Sequence, residues 1–451
     1  MKTRYAIISA LLLCAAVPAG AQSFQEGFLL SNYRLGYRYN PAMGNDTDMI
    51  SIGQVGMNIR SNVGAAAFLY PRDGQVVTGL HSSVSGSEFL GNLQELNYTM
   101  GNLDYNLAAY GIARGGAYHS FEVNVRGMYG VTVPRTLFEV VKMGMDDGQV
   151  YDLSRFGGFG QLYAELAYGY SRRLGDIISV GARAKLLVGL NALSMKVTSF
   201  NMSSGSPELS SDVAMQVDMT SKSSAIQTDE FGNMDFSRWL KRDKWRLPAG
   251  GGLALDLGFV LTPVEGLDLS VSLLDLGAMV WYYGNAFNAT GSVEFAGLDG
   301  LTIDQMNETE LVTILKDEGE GALDSFVFTK RKDNVRWGMV PFQAHVGARY
   351  RMPFWQALSV GVTGMFTEVR GMPYKEARLG VGVCPLDWLD LTANYGVGSF
   401  GTVFGVAGSV RFLRFRATFG LQNGFGGVIP YTSRPLQANN RTLTFGLTYD
   451  L

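Results

Sequence analysis

The feature that most restricts this chain is an alternation of apolar and polar residues with a period of two, sustained over unusually long segments. From Ser120 to Arg126 every odd residue is apolar and every even one polar. Leu162, Ala164, Leu166, Tyr168 and Tyr170 repeat the pattern, as do Ile178, Val180, Ala182, Ala184, Leu186 and Val188. It returns at residues 213–219, 253–261, 267–273, 342–350, 389–395 and 415–421, and the chain finishes with Leu443, Phe445, Leu447, Tyr449 and Leu451 in phase. Such segments are strands with one wet and one apolar face. Several exceed the ~5–6 residues of a usual soluble strand and reach the ~9–11 residues that cross a bilayer.

The connections point the same way. Short turns sit at Gly115-Gly116, Leu174–Asp176, Thr262–Gly266, Met352–Trp355 and Pro385–Trp388, whereas residues 134–159, 221–248, 284–337 and 423–440 form long polar connections. Short turns on one side and long loops on the other are the habit of outer-membrane barrels. The expected fold is therefore all-β: a transmembrane antiparallel barrel of about 14 strands, with short helices in the loops. The tally reaches about 16 if both 49–60 and 63–70 are wall strands rather than part of a plug. Phe354, Trp355 and Trp388 at turns, and Trp281, Tyr282 and Tyr283 before a long loop, are read as interfacial aromatics.

Composition agrees with this reading. About one residue in eight is glycine (57 of 451) and only 17% are charged, against about 7% and 25% in soluble domains. On a lumen face, glycine leaves room for a plug and relieves curvature. Residues 1–21 read as a secretory signal: Lys2 and Arg4, an apolar stretch from Tyr5 to Val17, then Ala19-Gly20-Ala21. Residues 22–48 are read as an N-terminal plug-like segment and 49–451 as the barrel. Losing the two leader cations moves the formal charge from −3 to −5, and no basic run matches nucleic acid. Cys384, alone once Cys14 leaves with the leader, excludes a disulfide scaffold.

Charged residues in the polar phase of the strands are the candidate lumen groups: Glu122, Arg126, Glu165, Arg183, Lys185, Asp256, Asp268 and Arg349. Both signs occur, which suits internal ion pairs around a plug better than an ion-selective pore. Catalytic chemistry finds little support. His119 and Ser120 are adjacent on a strand and face opposite sides, His345 lies in the polar phase, and no nucleophile elbow, phosphate loop or zinc spacing occurs. No metal site or cofactor is expected. A helix capped by Thr302 and Gln305, followed by Asp317, Glu318, Glu320 and Asp324, reads as a solvated loop element. Arg238, Trp239, Lys241, Arg242, Lys244, Trp245 and Arg246 form a cationic loop suited to lipid phosphates or a partner.

Several short motifs, taken in order, carry a family likeness. They are Ser31-Asn32-Tyr33-Arg34, Tyr39-Asn40-Pro41-Ala42, Phe68 to Pro71, a helical piece at Phe89-Leu90, a second from Pro134 to Glu139, Gly144 to Gly148, and Tyr163 to Arg172. Together they resemble an uncharacterised outer-membrane barrel family of Bacteroidota, known as a domain of unknown function. The Asn40-Pro41 turn and Ser272 to Gly277 are more distantly similar to the long-chain fatty-acid transporter superfamily. That resemblance implies a Gram-negative outer-membrane location and a plug turn at Asn40 and Pro41. It also implies a non-enzymatic transporter or channel for hydrophobic or amphiphilic molecules, with membrane lipid and a hydrophobic ligand as partners. Because some superfamily members handle secreted cargo, a scaffold binding other envelope proteins is the alternative.

Overall fold

The computed structural model describes residues 24–72, 75–144, 151–203, 209–222, 227–228, 234–235, 241–295, 326–423 and 439–451. The proposed leader, the helix and carboxylates of residues 302–324, and Arg238 and Trp239 lie outside them. No helix among the described residues is long and apolar enough to cross a membrane.

Fourteen antiparallel strands form a closed barrel. In chain order they are β1 (Met49–Ser61), β2 (Leu96–Arg114), β3 (Ala117–Pro134), β4 (Gly157–Leu174), β5 (Ile178–Ser203), β6 (Gly250–Val264) and β7 (Leu267–Tyr282). Then follow β8 (Gln343–Met352), β9 (Trp355–Val369), β10 (Met372–Leu386), β11 (Leu389–Gly398), β12 (Gly401–Phe412), β13 (Phe415–Gln422) and β14 (Asn439–Asp450). Each wall strand pairs with its sequence neighbours, and β1 closes the ring against β14 from Met49↔Asp450 to Ser61↔Asn439. Residues 49–61 are thus a wall strand. Residues 63–70 are not: they run into a small hairpin, Leu69–Arg72 with Gln75–Thr78, outside the wall.

The alternation has the expected consequence. Phe121, Val123, Leu166, Tyr168, Leu186, Leu253, Leu443 and Phe445 face outward and are exposed, while Glu122, Glu165, Arg183, Lys185, Thr442 and Thr444 are buried inside. An apolar outer belt around a polar lumen is the surface a bilayer requires. Phe354, Trp355, Trp388 and Phe412 ring the short-turn end, exposed.

Three expectations need correction. Trp281 and Tyr283 are buried inside and only Tyr282 is outward, with Trp337 beside it. The cause is a β-bulge: Leu255 pairs with Leu276 but Leu257 with Leu273, so β7 carries one extra residue and its phase inverts beyond Asp275. The loop-length alternation also breaks at Arg370-Gly371 and at Ser399-Phe400, tight turns at the end that carries the long connections. Of the stretch 284–337, the described residues 284–295 and 326–337 are mostly sheet rather than loop. Strands 209–219, 285–295, 326–330 and 335–339 extend the wall beyond the barrel rim.

The long connections also build a cap at that end. Helix α1 (Gly86–Gly91), started by Ser85 Oγ accepting from the Glu88 amide, packs on α2 (Arg135–Met143) through Phe68, Phe89 and Phe138.

Residues 24–48 form no strand and cross the lumen. Phe24 packs against Gly420, Phe28 against Gly347, Leu29 against Gly361 and Gly380, and the Asn40-Pro41 turn against Gly181 and Gly258. A methyl group at Gly181 would overlap the Pro41 carbonyl, and one at Gly258 the Asn40 side chain. Gly258→Val should therefore displace this segment at an overpacking cost of about 1–3 kcal/mol. Trypsin in detergent would then cut at Arg34 and Arg38 in the variant but not in the parent, while unboiled gel mobility still reports a closed barrel.

Candidate functional site

The lumen chemistry is organised by register. Ala109, Glu122, Ala167, Lys185 and Ala254 lie in one row across β2 to β6. Each long charged side chain is flanked by alanine, which gives it space to reach sideways. The next row, Asn106, Asn124 and Glu165, is bonded side chain to side chain: Asn106 donates to Asn124 (2.8 Å) and Asn124 to Glu165 Oε1 (2.9 Å), while Ser51 Oγ, opposite Ala109, donates across to Asn106 Oδ1 (2.6 Å).

Six of the eight predicted charges converge on one buried network. Arg183 bridges Glu122 (2.5 Å) and Asp256 (2.6 Å), Lys185 reaches Asp256 at 2.7 Å, and Arg126 meets Glu165 at 3.3 Å. Asp268 and Arg349 form a separate pair at 2.9 Å towards the short-turn end. There Arg349 also donates to the Phe28 carbonyl (3.3 Å).

Three members of the network were missed from sequence. Asp275 accepts from Arg126 and Lys185, both at 2.6 Å. It sits at the bulge with φ 62°, and its amide donates to Asp256 Oδ1 (2.7 Å). The signal was the broken alternation in Leu273-Leu274-Asp275-Leu276. Asp104 was legible as part of the even-phase run Asn102, Asp104, Asn106. Arg38, from the N-terminal segment, binds Asp104 (2.5 Å) and Glu122 (3.1 Å). No local pattern marks it.

The same segment is tied around the ring by other side chains. Asn40 Nδ2 donates to Ser270 Oγ (2.8 Å) and to the carbonyls of Phe259 and Val271 (both 3.1 Å), while its Oδ1 accepts from the Ala42 amide. Pro41 shapes that turn against Gly181. Ser272 Oγ donates to the Tyr39 carbonyl (2.8 Å), Arg34 pairs with Asp450 (2.7 Å), and the Asn32 amide donates to Asp390 (2.8 Å). Burial pushes the Tyr33 hydroxyl above its usual range, so it stays a proton donor, here to Gln54 (2.9 Å).

Two lumen cavities of about 30 Å³ each flank the network, and Arg126, Asp275 and Gln343 line both. A larger apolar concavity of about 900 Å³, with Phe121, Leu166 and Tyr168 in its lining, lies on the outer face of β1 to β6. It opens on the belt where acyl chains would fill it, so it is not part of the lumen.

The remaining candidates are placed plainly. His119 faces outward and meets the Tyr168 hydroxyl (2.9 Å) while Ser120 is buried in the lumen, so the two form no dyad. His345 is buried beside Tyr39, ring centroids 4.6 Å apart. Among the described residues, no group of His, Cys, Asp and Glu is arranged to hold a metal.

A 14-stranded antiparallel closed barrel, with its lumen crossed by its own N-terminal segment, is the class that fold and site define. The chain belongs to a family of unknown function, DUF5723, whose sequence model matches residues 41–421. No curated protein matches it. Among solved structures it is similar to the CymD monoaromatic hydrocarbon channel, with 10% identity, 96% of this chain and 98% of that one covered, and a TM-score of 0.47. It is also similar to the Ralstonia pickettii toluene transporter TbuX, with 8% identity, coverage of 97% and 96%, and a TM-score of 0.46. The corresponding values for a Pseudomonas aeruginosa FadL homologue are 13%, 96% and 99%, and 0.45. At such identities and TM-scores these likenesses carry no argument about what the chain transports or binds.

Removing one partner from a buried ion network strands the others, at about 3–5 kcal/mol. Arg183→Met should cost that much in denaturant unfolding, and Arg183→Met with Glu122→Met should recover part of it. Arg72→Gln, which breaks the partly exposed bridge to Glu88, should cost less than about 1 kcal/mol.

Proposed function

We propose that this protein is a gated outer-membrane channel for small hydrophobic or amphiphilic molecules in a Gram-negative bacterium, one of the Bacteroidota on the motif resemblance. One observation carries the reading: the segment that fills the lumen is held by side chains and not by strand pairing. Arg34, Arg38 and Asn40 can release it without opening any rung of the wall. A permanent structural core would gain more from a fixed strand or helix. A segment bonded at its side chains can shift between two arrangements while the backbone ladder stays intact, which is what a gate needs.

In this arrangement the N-terminal segment occupies the lumen, and the two cavities beside Arg126 and Asp275 have room for only a few waters each. Entry is assigned to the loop end, and passage follows displacement of the N-terminal segment from the network. The chain's own residues bind, block and orient; no bond is made or broken.

The alternative, a scaffold for secreted cargo or envelope proteins, draws on the one-sided elaboration of the loop end, where cap and extended sheet both lie. Gentle-detergent purification separates the two: copurified lipid or hydrocarbon supports the channel, stoichiometric protein the scaffold. In planar bilayers the parent should be silent, whereas Arg38→Ala should show openings and deletion of residues 24–48 a steady conductance. Silence in both variants, together with unchanged uptake of hydrophobic compounds in a deletion strain, would sink the channel reading.

A further inference from the structure

Buried cations in this lumen generally have a carboxylate: Arg38, Arg126, Arg183, Lys185, Arg349 and Arg378 each lie within an ion pair. Arg60, on the loop-side end of β1, does not. It is only 2% exposed, and among the described residues no carboxylate oxygen lies within ion-pair distance of it. Its guanidinium lies 4.3 Å over the Tyr374 ring, and its Nε has no hydrogen-bond partner. The ring attracts the charge through its face but accepts none of the in-plane N–H groups, which form a fork suited to a planar acceptor.

Two nearby carboxylates are already committed. Glu376 is held by Arg378 and by the Tyr374 hydroxyl, both at 2.5 Å. Asp275, which shares a cavity with Arg60, is bonded to Arg126 and Lys185. That cavity, about 30 Å³, is also lined by Asn102, Gln343 and Thr367, which offer polar groups. It has the volume of a few water molecules at most.

We propose that this cavity is a binding site for one compact monovalent anion, a carboxylate or an ion of similar size, paired with Arg60. Of the charged groups that line the cavity, Arg126 and Asp275 are paired with each other and Arg60 has no ion pair, so the site calls for one negative charge at most. The volume suits chloride or, at its limit, formate and no acyl chain, so a larger amphiphile would place only its head there.

The test uses the full chain in a neutral detergent at constant ionic strength, with sodium gluconate, whose polyol body is too large for the cavity, replaced stepwise by sodium formate. The unfolding midpoint is read from unboiled gel mobility. Formate should raise it saturably by several degrees in the parent, not at all in Arg60→Gln, and partly in Arg60→Lys. Asn102→Asp, which supplies a fixed negative charge to the cavity, should raise the midpoint without formate and abolish the response. It gives a readout even if Arg60→Gln does not fold. A parallel series with dodecanoate separates sources: a response to formate assigns a free ion, and a response to dodecanoate alone assigns an amphiphile's head. The proposal is overturned if the parent responds to neither, or if Arg60→Gln or Asn102→Asp responds as the parent does.

Discussion

A backbone amide in hydrocarbon has no water to bond, and each group left alone there costs several kcal/mol. The rest of this structure depends on how that demand is met. Pairing of β1 with β14 along their whole length removes the last free edge, so the chain's two ends must come together before the wall is complete. Closure then fixes everything inside it. It sets which side chains face inward and makes the lumen a volume that has to be filled or wetted. Because the ladder is satisfied by the wall alone, residues 24–48 are free to bond through side chains instead.

That freedom explains the buried charges. Four cations, Arg38, Arg126, Arg183 and Lys185, meet five carboxylates, Asp104, Glu122, Glu165, Asp256 and Asp275. Such a cluster adds little net stability over an apolar core of the same volume, since desolvation offsets most of its Coulomb energy. What it adds is position. Arg38 fits where Asp104 and Glu122 leave it a place, which fixes the register of the segment in this arrangement. An apolar segment in an apolar lumen would have had many registers.

Most of the wall was legible in sequence because a barrel strand faces two unlike solvents, and period two is the direct imprint of that. The strand class and the inward direction of Glu122, Arg126, Glu165, Arg183, Lys185, Asp256, Asp268 and Arg349 follow from phase. The count stays between about 14 and about 16, because phase does not tell a wall strand at 49–61 from the hairpin after residue 63. Phase fails where a strand takes in one extra residue, as β7 does at Asp275 and β2 between Asn106 and Ala108. Beyond such a point every residue changes sides, which is why Trp281 and Tyr283 turned inward against expectation. Partners across the lumen were not legible at all. The pairing of Arg38 with Asp104, or the absence among the described residues of an ion-pair partner for Arg60, depends on three-dimensional distance between residues that no local pattern links.

The bulge at Asp275 deserves its place for a physical reason beyond irregularity. In regular alternation Leu274, inward, would be followed by an outward residue, and a carboxylate there would face lipid at a cost of a few kcal/mol. The extra residue, held in the left-handed region at φ 62°, turns Asp275 into the lumen instead. Its amide then bonds Asp256, and its carboxylate bonds Arg126 and Lys185. The backbone strain of one left-handed residue, of order 1–3 kcal/mol, is thus exchanged for two short charge-assisted bonds between the two lumen cavities. The same distortion reverses the phase of β7, so that Met279 and Trp281 fill the lumen above these bonds with apolar bulk. One inserted residue therefore sets both the charged floor and the apolar wall of this part of the lumen.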